Sequence, residues 1–232
     1  MRAKQKTMVI SRNEGTRADI QVDGKSLEQV NHFKYLGQTV SDTGKNIQEI
    51  KIRIAQAKST FIQMSDILTS RDISLALRLK AVSMYIYPIV LYGDESWTWY
   101  KDCSDKIEAF EMWIYRKMAR ISYTERVKNE DVLKRLKVKR ELLNKSKSHK
   151  LSYFGHIVRH ESIQKTVLEG RMEGRRGRGR PRRQWVDDIK DWSGKQLREC
   201  TRLAQDRVAW RRLARRPREN AARPRTARRE DT

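Results

Sequence analysis

Cysteine, histidine and long apolar runs are scarce in this chain of 232 residues. Its two cysteines, Cys103 and Cys200, lie far apart in polar surroundings. They build no disulfide framework, which argues for an intracellular protein. The four histidines have no Cys pair beside them, so a zinc knuckle is excluded. The longest apolar run, Tyr85–Gly93, is too short to span a bilayer and contains Pro88, so no membrane is expected as a partner. Met1–Thr16 is polar and charged apart from Met8-Val9-Ile10, unlike a secretory leader. The chain also lacks a P-loop, a Gly-x-Ser-x-Gly elbow and a paired Cys/His nucleophile constellation.

What the chain has in excess is positive charge: 52 Lys+Arg against 29 Asp+Glu, a net +23. The excess is uneven. Residues 1–100 carry 14 basic and 10 acidic side chains, residues 101–170 carry 17 and 10, and residues 171–232 carry 21 and 9. The first 170 residues read as ordinary protein with a basic tilt, and the last 62 as a basic appendage. The sharpest stretch is Arg171–Arg183, with seven Arg, three Gly and one Pro against one Glu. Glycine freedom, a missing donor at Pro181 and seven repelling charges exclude a packed core there. Such a segment is stable in solvent or against a polyanion, so nucleic acid is the expected partner.

The periodicity predicts a mainly α chain with a small N-terminal β element, an α+β fold class. Thr7–Ser11 and Ala18–Val22 read as short strands, with Asp23-Gly24 as a tight turn. Leu27, Val30, Phe33, Tyr35 and Leu36 suggest further short strands, broken at Gly37. From Asn46 the apolar spacing becomes helical. Ile47, Ile50, Ile54, Phe61 and Met64 line a helix running to about Leu68. A second opens at Arg71-Asp72 and is bent or ended by Pro88. A third starts near Ser104 and buries Ile107, Phe110, Trp113, Ile114, Met118 and Ile121. Helices are also expected over Glu130–Leu136 and Glu141–Arg159. A last pair is anchored by Trp185, Ile189 and Trp192, then by Leu203, Val208, Trp210 and Leu213.

Several motifs have a bland reading beside the functional one. Gly177-Arg178-Gly179-Arg180-Pro181 could lie in an A·T minor groove, or serve as a basic linker or nuclear-import signal. Val186-Asp187-Asp188 has the look of a polymerase metal pair, but such a pair needs a β-hairpin and a third carboxylate. Here it falls at helical spacing, so solvated acids at a helix N-terminus are expected. His156 and His160 stand at i, i+4, which suits zinc, yet a helix surface or core edge is the simpler placement. No metal site is expected.

Seven strings, in order over about residues 4–215, resemble the C-terminal part of a non-LTR (LINE-type) retrotransposon endonuclease/reverse transcriptase: Lys6–Val9, Phe33–Gly37, Tyr92–Trp97, Phe110–Trp113, Tyr153–His160, Gly177–Pro181 and Trp185–Asp188. One departure is Asp94, where many relatives have Cys. The resemblance implies a layout. Residues 1–44 would be a palm-end β element with a primer-grip-like segment, and 45–124 a thumb-like helical bundle. Residues 125–170 would be a helical post-thumb region, 171–183 an Arg/Gly linker, 184–214 Trp-anchored helices, and 215–232 a disordered basic tail. Lys6 resembles the lysine of the last palm motif.

The family's polymerase carboxylates and its Mg2+ belong to sequence upstream of such a segment. The resemblance therefore implies a truncated copy that binds no cofactor itself and carries no catalytic residue. Its expected partners are RNA and DNA, as template, primer or target, and its expected compartment is the nucleus or cytoplasm. The nucleic-acid-binding candidates are Phe33, Tyr35, Leu36, Gly37, Arg175, Arg176, Arg178, Arg180, Arg182 and Arg183. Two alternatives stand beside this reading. One is part of an active RNA-directed DNA polymerase completed by upstream sequence. The other is a domesticated chromatin-binding module using the Arg/Gly loop.

Overall fold

The computed structural model describes residues 5–11, 16–170 and 182–218. Over these residues the chain is mainly helical with only short strands, as the periodicity predicts. It divides into two compact units, Met1–Leu143 and Asn144–Thr232.

The first unit begins with three two-stranded pairs. β1 (Lys6–Thr7) lies parallel to β4 (Glu28–Gln29), and β2 (Gln21–Val22) antiparallel to β3 (Lys25–Ser26). The expected first strand is cut short: only Lys6 and Thr7 find a strand partner, and Met8–Ser11 do not extend the pairing. β5 (His32–Tyr35) and β6 (Gln38–Ser41) form the longest hairpin, with Phe33 opposite Val40 and Tyr35 opposite Gln38. Both hairpins turn through two residues of positive φ: Asp23 (52°) and Gly24 (70°), then Leu36 (46°) and Gly37 (82°). That is the backbone twist a two-residue hairpin prefers.

Helices α1 (Ile47–Gln63), α2 (Ser65–Leu68), α3 (Leu75–Ala81), α4 (Tyr87–Val90), α5 (Lys101–Met118) and α6 (Asn129–Leu136) build the rest of the unit. α1 packs on α4 and α5. Pro88 does not end the helical path. It sits at the start of α4, directly after a π stretch, Val82–Ile86, whose wider turn changes the hydrogen-bonding register. Val82, Ile86 and Val90 are buried at i+4 spacing, while Leu77 and Tyr85 face outward. α5 starts at Lys101, ahead of Ser104, whose hydroxyl instead donates back to the Tyr100 carbonyl. Of its expected stripe, Ile107, Phe110, Ile114 and Met118 are buried, while Trp113 is half-buried and Ile121, also half-buried, lies beyond the helix end. Phe61 meets Trp113 edge-on at 5.1 Å, joining α1 to α5.

α7 (Leu142–Arg159) starts in the first unit and continues into the second. In the second unit it is followed by α8 (Ile163–Glu169), α9 (Trp185–Ser193), α10 (Leu197–Gln205) and α11 (Arg207–Ala214). Leu151, Phe154, Val158, Ile189, Trp192 and Trp210 are its buried core. Trp210 Nε1 donates to the Leu151 carbonyl at 2.7 Å, which satisfies the one polar atom of a buried indole. Gly155 is what lets that indole approach, since a Cβ there would overlap it. Ile163 and Val167 are exposed on α8.

Candidate nucleic-acid interface

The β5–β6 hairpin is held at its tip by two side chains from elsewhere in the first unit. Tyr92 Oη donates to the Leu36 carbonyl at 2.9 Å. Arg53 Nη2 donates to the Gly37 carbonyl at 2.6 Å, and its guanidinium lies 4.4 Å over the Tyr92 ring. Arg53 is itself fixed by Glu49 one turn earlier on α1 at 2.6 Å, and the second Glu49 oxygen accepts the Thr39 N–H at 2.7 Å. Glu49 and Arg53 are both buried. Gly93 is required beside them, because its φ is +70° and a Cβ would overlap the Gln38 side chain. Ser96 Oγ donates to Gln38 Oε1 at 3.4 Å. The Tyr92–Trp97 string thus packs against the hairpin, and Asp94 and Trp97 within it are buried.

The clamp leaves the hairpin's apolar side chains outside. Phe33 is 42%, Tyr35 60% and Leu36 75% exposed, the reverse of a core stripe. Phe33 and Tyr35 share one face of β5 by strand alternation, with Lys34 on the other. Two exposed aromatic rings thus stand on a backbone held at both turn carbonyls. Gly37 is exposed at its tip. Lys6 lies on β1, with Nζ 3.6 Å from Glu28 across the parallel pair. Glu49, Arg53 and Tyr92 are absent from the expected site residues. Their one sequence signal is Tyr92 in the Tyr92–Trp97 string.

Of the basic candidates, Arg175, Arg176, Arg178 and Arg180 lie outside the described residues. Arg182 is exposed. Arg183 is bound by two carboxylates, 2.6 Å from Asp188 and 2.7 Å from Asp191. Burial works against its charge, and the two acids outweigh burial and hold the guanidinium above its ordinary value.

Asp188 corrects the expectation of a solvated helix acid. It is fully buried and paired with both Lys150 and Arg183. Lys150 is equally buried, with Nζ 4.7 Å from the Trp185 ring and 5.7 Å from the Trp192 ring. α9 is thereby fastened to α7 by charge and by the two indoles. Asp187 does reach the surface, where it accepts the Gln184 N–H at 2.7 Å and pairs with Lys190 at 2.6 Å. Burial opposes its ionised form, but Lys190 and that N–H hold its pKa below the usual value.

Both carboxylates are engaged by cations, and they stand on a helix. Among the described residues no group of three or more His, Cys, Asp or Glu is placed to hold an ion. As placed, Asp187 and Asp188 do not fit the two Mg2+ ions of a polymerase site. His156 and His160, both exposed at the end of α7, have ring centroids 4.5 Å apart. No helix among the described residues is long and apolar enough to cross a membrane.

No protein-family model matches the chain, and no solved structure matches it. It is similar to an uncharacterized transposon-derived protein of Caenorhabditis elegans, 26% identical over 199 residues that cover 79% of this chain and 70% of that protein. The likeness relates the chain to transposon-derived sequence.

Proposed function

We propose that this chain is the nucleic-acid-holding part of a reverse transcriptase-like protein of a non-LTR retrotransposon. It binds template, primer or target nucleic acid and carries out no nucleotidyl transfer through its own residues. The observation that carries the reading is the clamp between Tyr92 and Leu36. It unites two of the strings that resemble the family, Phe33–Gly37 and Tyr92–Trp97, in one exposed aromatic hairpin. The likeness to a transposon-derived protein and the basic excess support the same reading. Backbone phosphates supply the affinity and the aromatics a sequence-tolerant stacking surface.

The test is a titration of the full chain with an RNA–DNA hybrid and a DNA duplex at two salt concentrations. Affinity should fall steeply with salt, as counterion release requires. Binding that ignores salt, or no binding to either, would overturn the reading.

A further inference from the structure

An open groove of about 360 Å³ lies at the C-terminal end of α5, lined by Thr69, Arg116, Lys117, Arg120, Ile121 and Ser122. Three cations meet there, and the fold fixes two of them. Arg116 Nη2 donates to the Val127 carbonyl at 2.7 Å and to Asn129 Oδ1 at 2.8 Å. Arg120 Nε donates to the Thr69 carbonyl at 3.1 Å. Among the described residues, the remaining Arg116 nitrogens, both terminal nitrogens of Arg120 and Lys117 Nζ make no hydrogen bond or ion pair. The nearby carboxylate of Glu125 accepts the Ser122 N–H at 2.7 Å.

The backbone explains how the cations come to stand together. α5 ends in two closing bonds, Arg120 N–H to the Lys117 carbonyl and Ile121 N–H to the Arg116 carbonyl, at 3.1 and 3.0 Å. This closure places Arg120 in the left-handed region at φ 54°, where glycine is the usual residue. The carbonyl end of the helix favours cations and offsets their mutual repulsion. That effect accounts for their being tolerated. Their remaining donors line the open groove.

Resting on the function proposed above, we propose that this groove seats a backbone phosphate of the bound nucleic acid. Lys117 acts as a point charge, and the anchored Arg116 and Arg120 donate to the phosphate oxygens. Inorganic phosphate has the same chemistry and is separated by experiment.

The full chain is compared with three variants: Lys117→Glu, Arg120→Gly and, as a charge control outside the groove, Lys80→Glu. Arg120→Gly suits the left-handed backbone, so it removes the cation without straining the fold; melting curves verify this. Each groove variant should lower the slope of log affinity against log salt by about 1, uniformly across sequences. Lys80→Glu should lower it less. Groove variants that bind like the parent, or no more weakly than the control, overturn the proposal and leave the broader reading intact. A parent chain that binds no nucleic acid overturns that broader reading. If inorganic phosphate then raises the melting temperature of the parent but not of Lys117→Glu, the nucleic-acid source is overturned in favour of free phosphate.

Discussion

The Tyr92 hydroxyl donates to the Leu36 carbonyl, joining residues 56 positions apart and closing the tip of the β5–β6 hairpin. Leu36 holds a positive φ there, which costs a non-glycine residue roughly 1–2 kcal/mol. Bonds from Tyr92 and Arg53 to the two turn carbonyls offset that cost. The exposed hairpin tip is thus tied at both turn carbonyls.

Tyr92→Phe keeps the ring under Arg53 and removes only the hydroxyl. It should weaken the hairpin by about 1 kcal/mol. Tyr92→Ala also loses the cation–π contact and should cost about 2 kcal/mol. Amide hydrogen exchange across β5 and β6 measures both, and equal exchange in the two variants would show that the ring contributes nothing.

Glu111 is fully buried on α5, and one oxygen, Oε1, accepts four bonds. They come from the Glu141 and Leu142 N–H groups at 2.8 and 3.0 Å and from the Tyr115 and Tyr87 hydroxyls at 3.0 and 3.3 Å. A side chain distant in sequence thus caps α7. Burial raises the Glu111 pKa, outweighing those donors, and burial followed by the nearby Glu111 charge raises that of Tyr87. Both folded values lie above the unfolded ones, so each group's stabilisation is complete below its unfolded pKa and is lost as pH rises toward the folded one. Stability should therefore decline above about pH 4.3 for Glu111 and again above about pH 10 for Tyr87. In urea melts across pH, Glu111→Gln should flatten the first decline, and Tyr87→Phe should reduce the second while leaving the part due to Tyr115, whose pKa burial also raises. Glu111→Ala orphans two backbone donors and should cost roughly 3 kcal/mol.

Asp188 is shared by Lys150 and Arg183, which makes the two partners unequal. Lys150→Met leaves Asp188 its arginine. Asp188→Ala takes the carboxylate from a fully buried lysine, a loss of about 3–5 kcal/mol. Denaturant unfolding should rank Asp188→Ala as the more damaging, and the reverse order would mean that Arg183 does little for the carboxylate.

How much of the structure is legible in the sequence depends on where each residue's partner lies. The stripes of α5 and α9 can be read because their spacing is local and their burial follows it. Asp188 defeats the same reasoning: helix position argues for solvent, while the buried lysine that draws it inward lies 38 positions earlier. Pro88 signals a helix end in isolation, but here it sits in the first turn of α4, directly after a π stretch. Phe33 and Tyr35 are visible as candidates from their string alone. The residues that hold their hairpin, Glu49 and Arg53, carry the i, i+4 signature of an ordinary surface ion pair.

Gly155 allows the Trp210 indole to lie against α7. In an exposed helix, Gly→Ala would stabilise by about 1 kcal/mol. Here the added methyl displaces the indole and its bond to the Leu151 carbonyl, so Gly155→Ala should destabilise by about 1–3 kcal/mol. A lowered melting temperature with altered tryptophan fluorescence is the expected pair of signals.

The hairpin and the groove differ in how salt should affect their mutants. The proposed stacking of bases on Phe33 and Tyr35 would release no counterions, so its contribution should be independent of salt. Tyr35→Ala should weaken binding by about 1 kcal/mol or more at every salt concentration and leave the slope unchanged. Tyr35→Trp should retain affinity, because any aromatic face stacks on a base. The tyrosine is 60% exposed, so removing its ring should leave the melting temperature almost untouched and separate a lost contact from a lost fold. If Tyr35→Ala changes the slope but not the affinity at low salt, the ring acts by placing nearby cations, and the hairpin is a scaffold for charge with no stacking role.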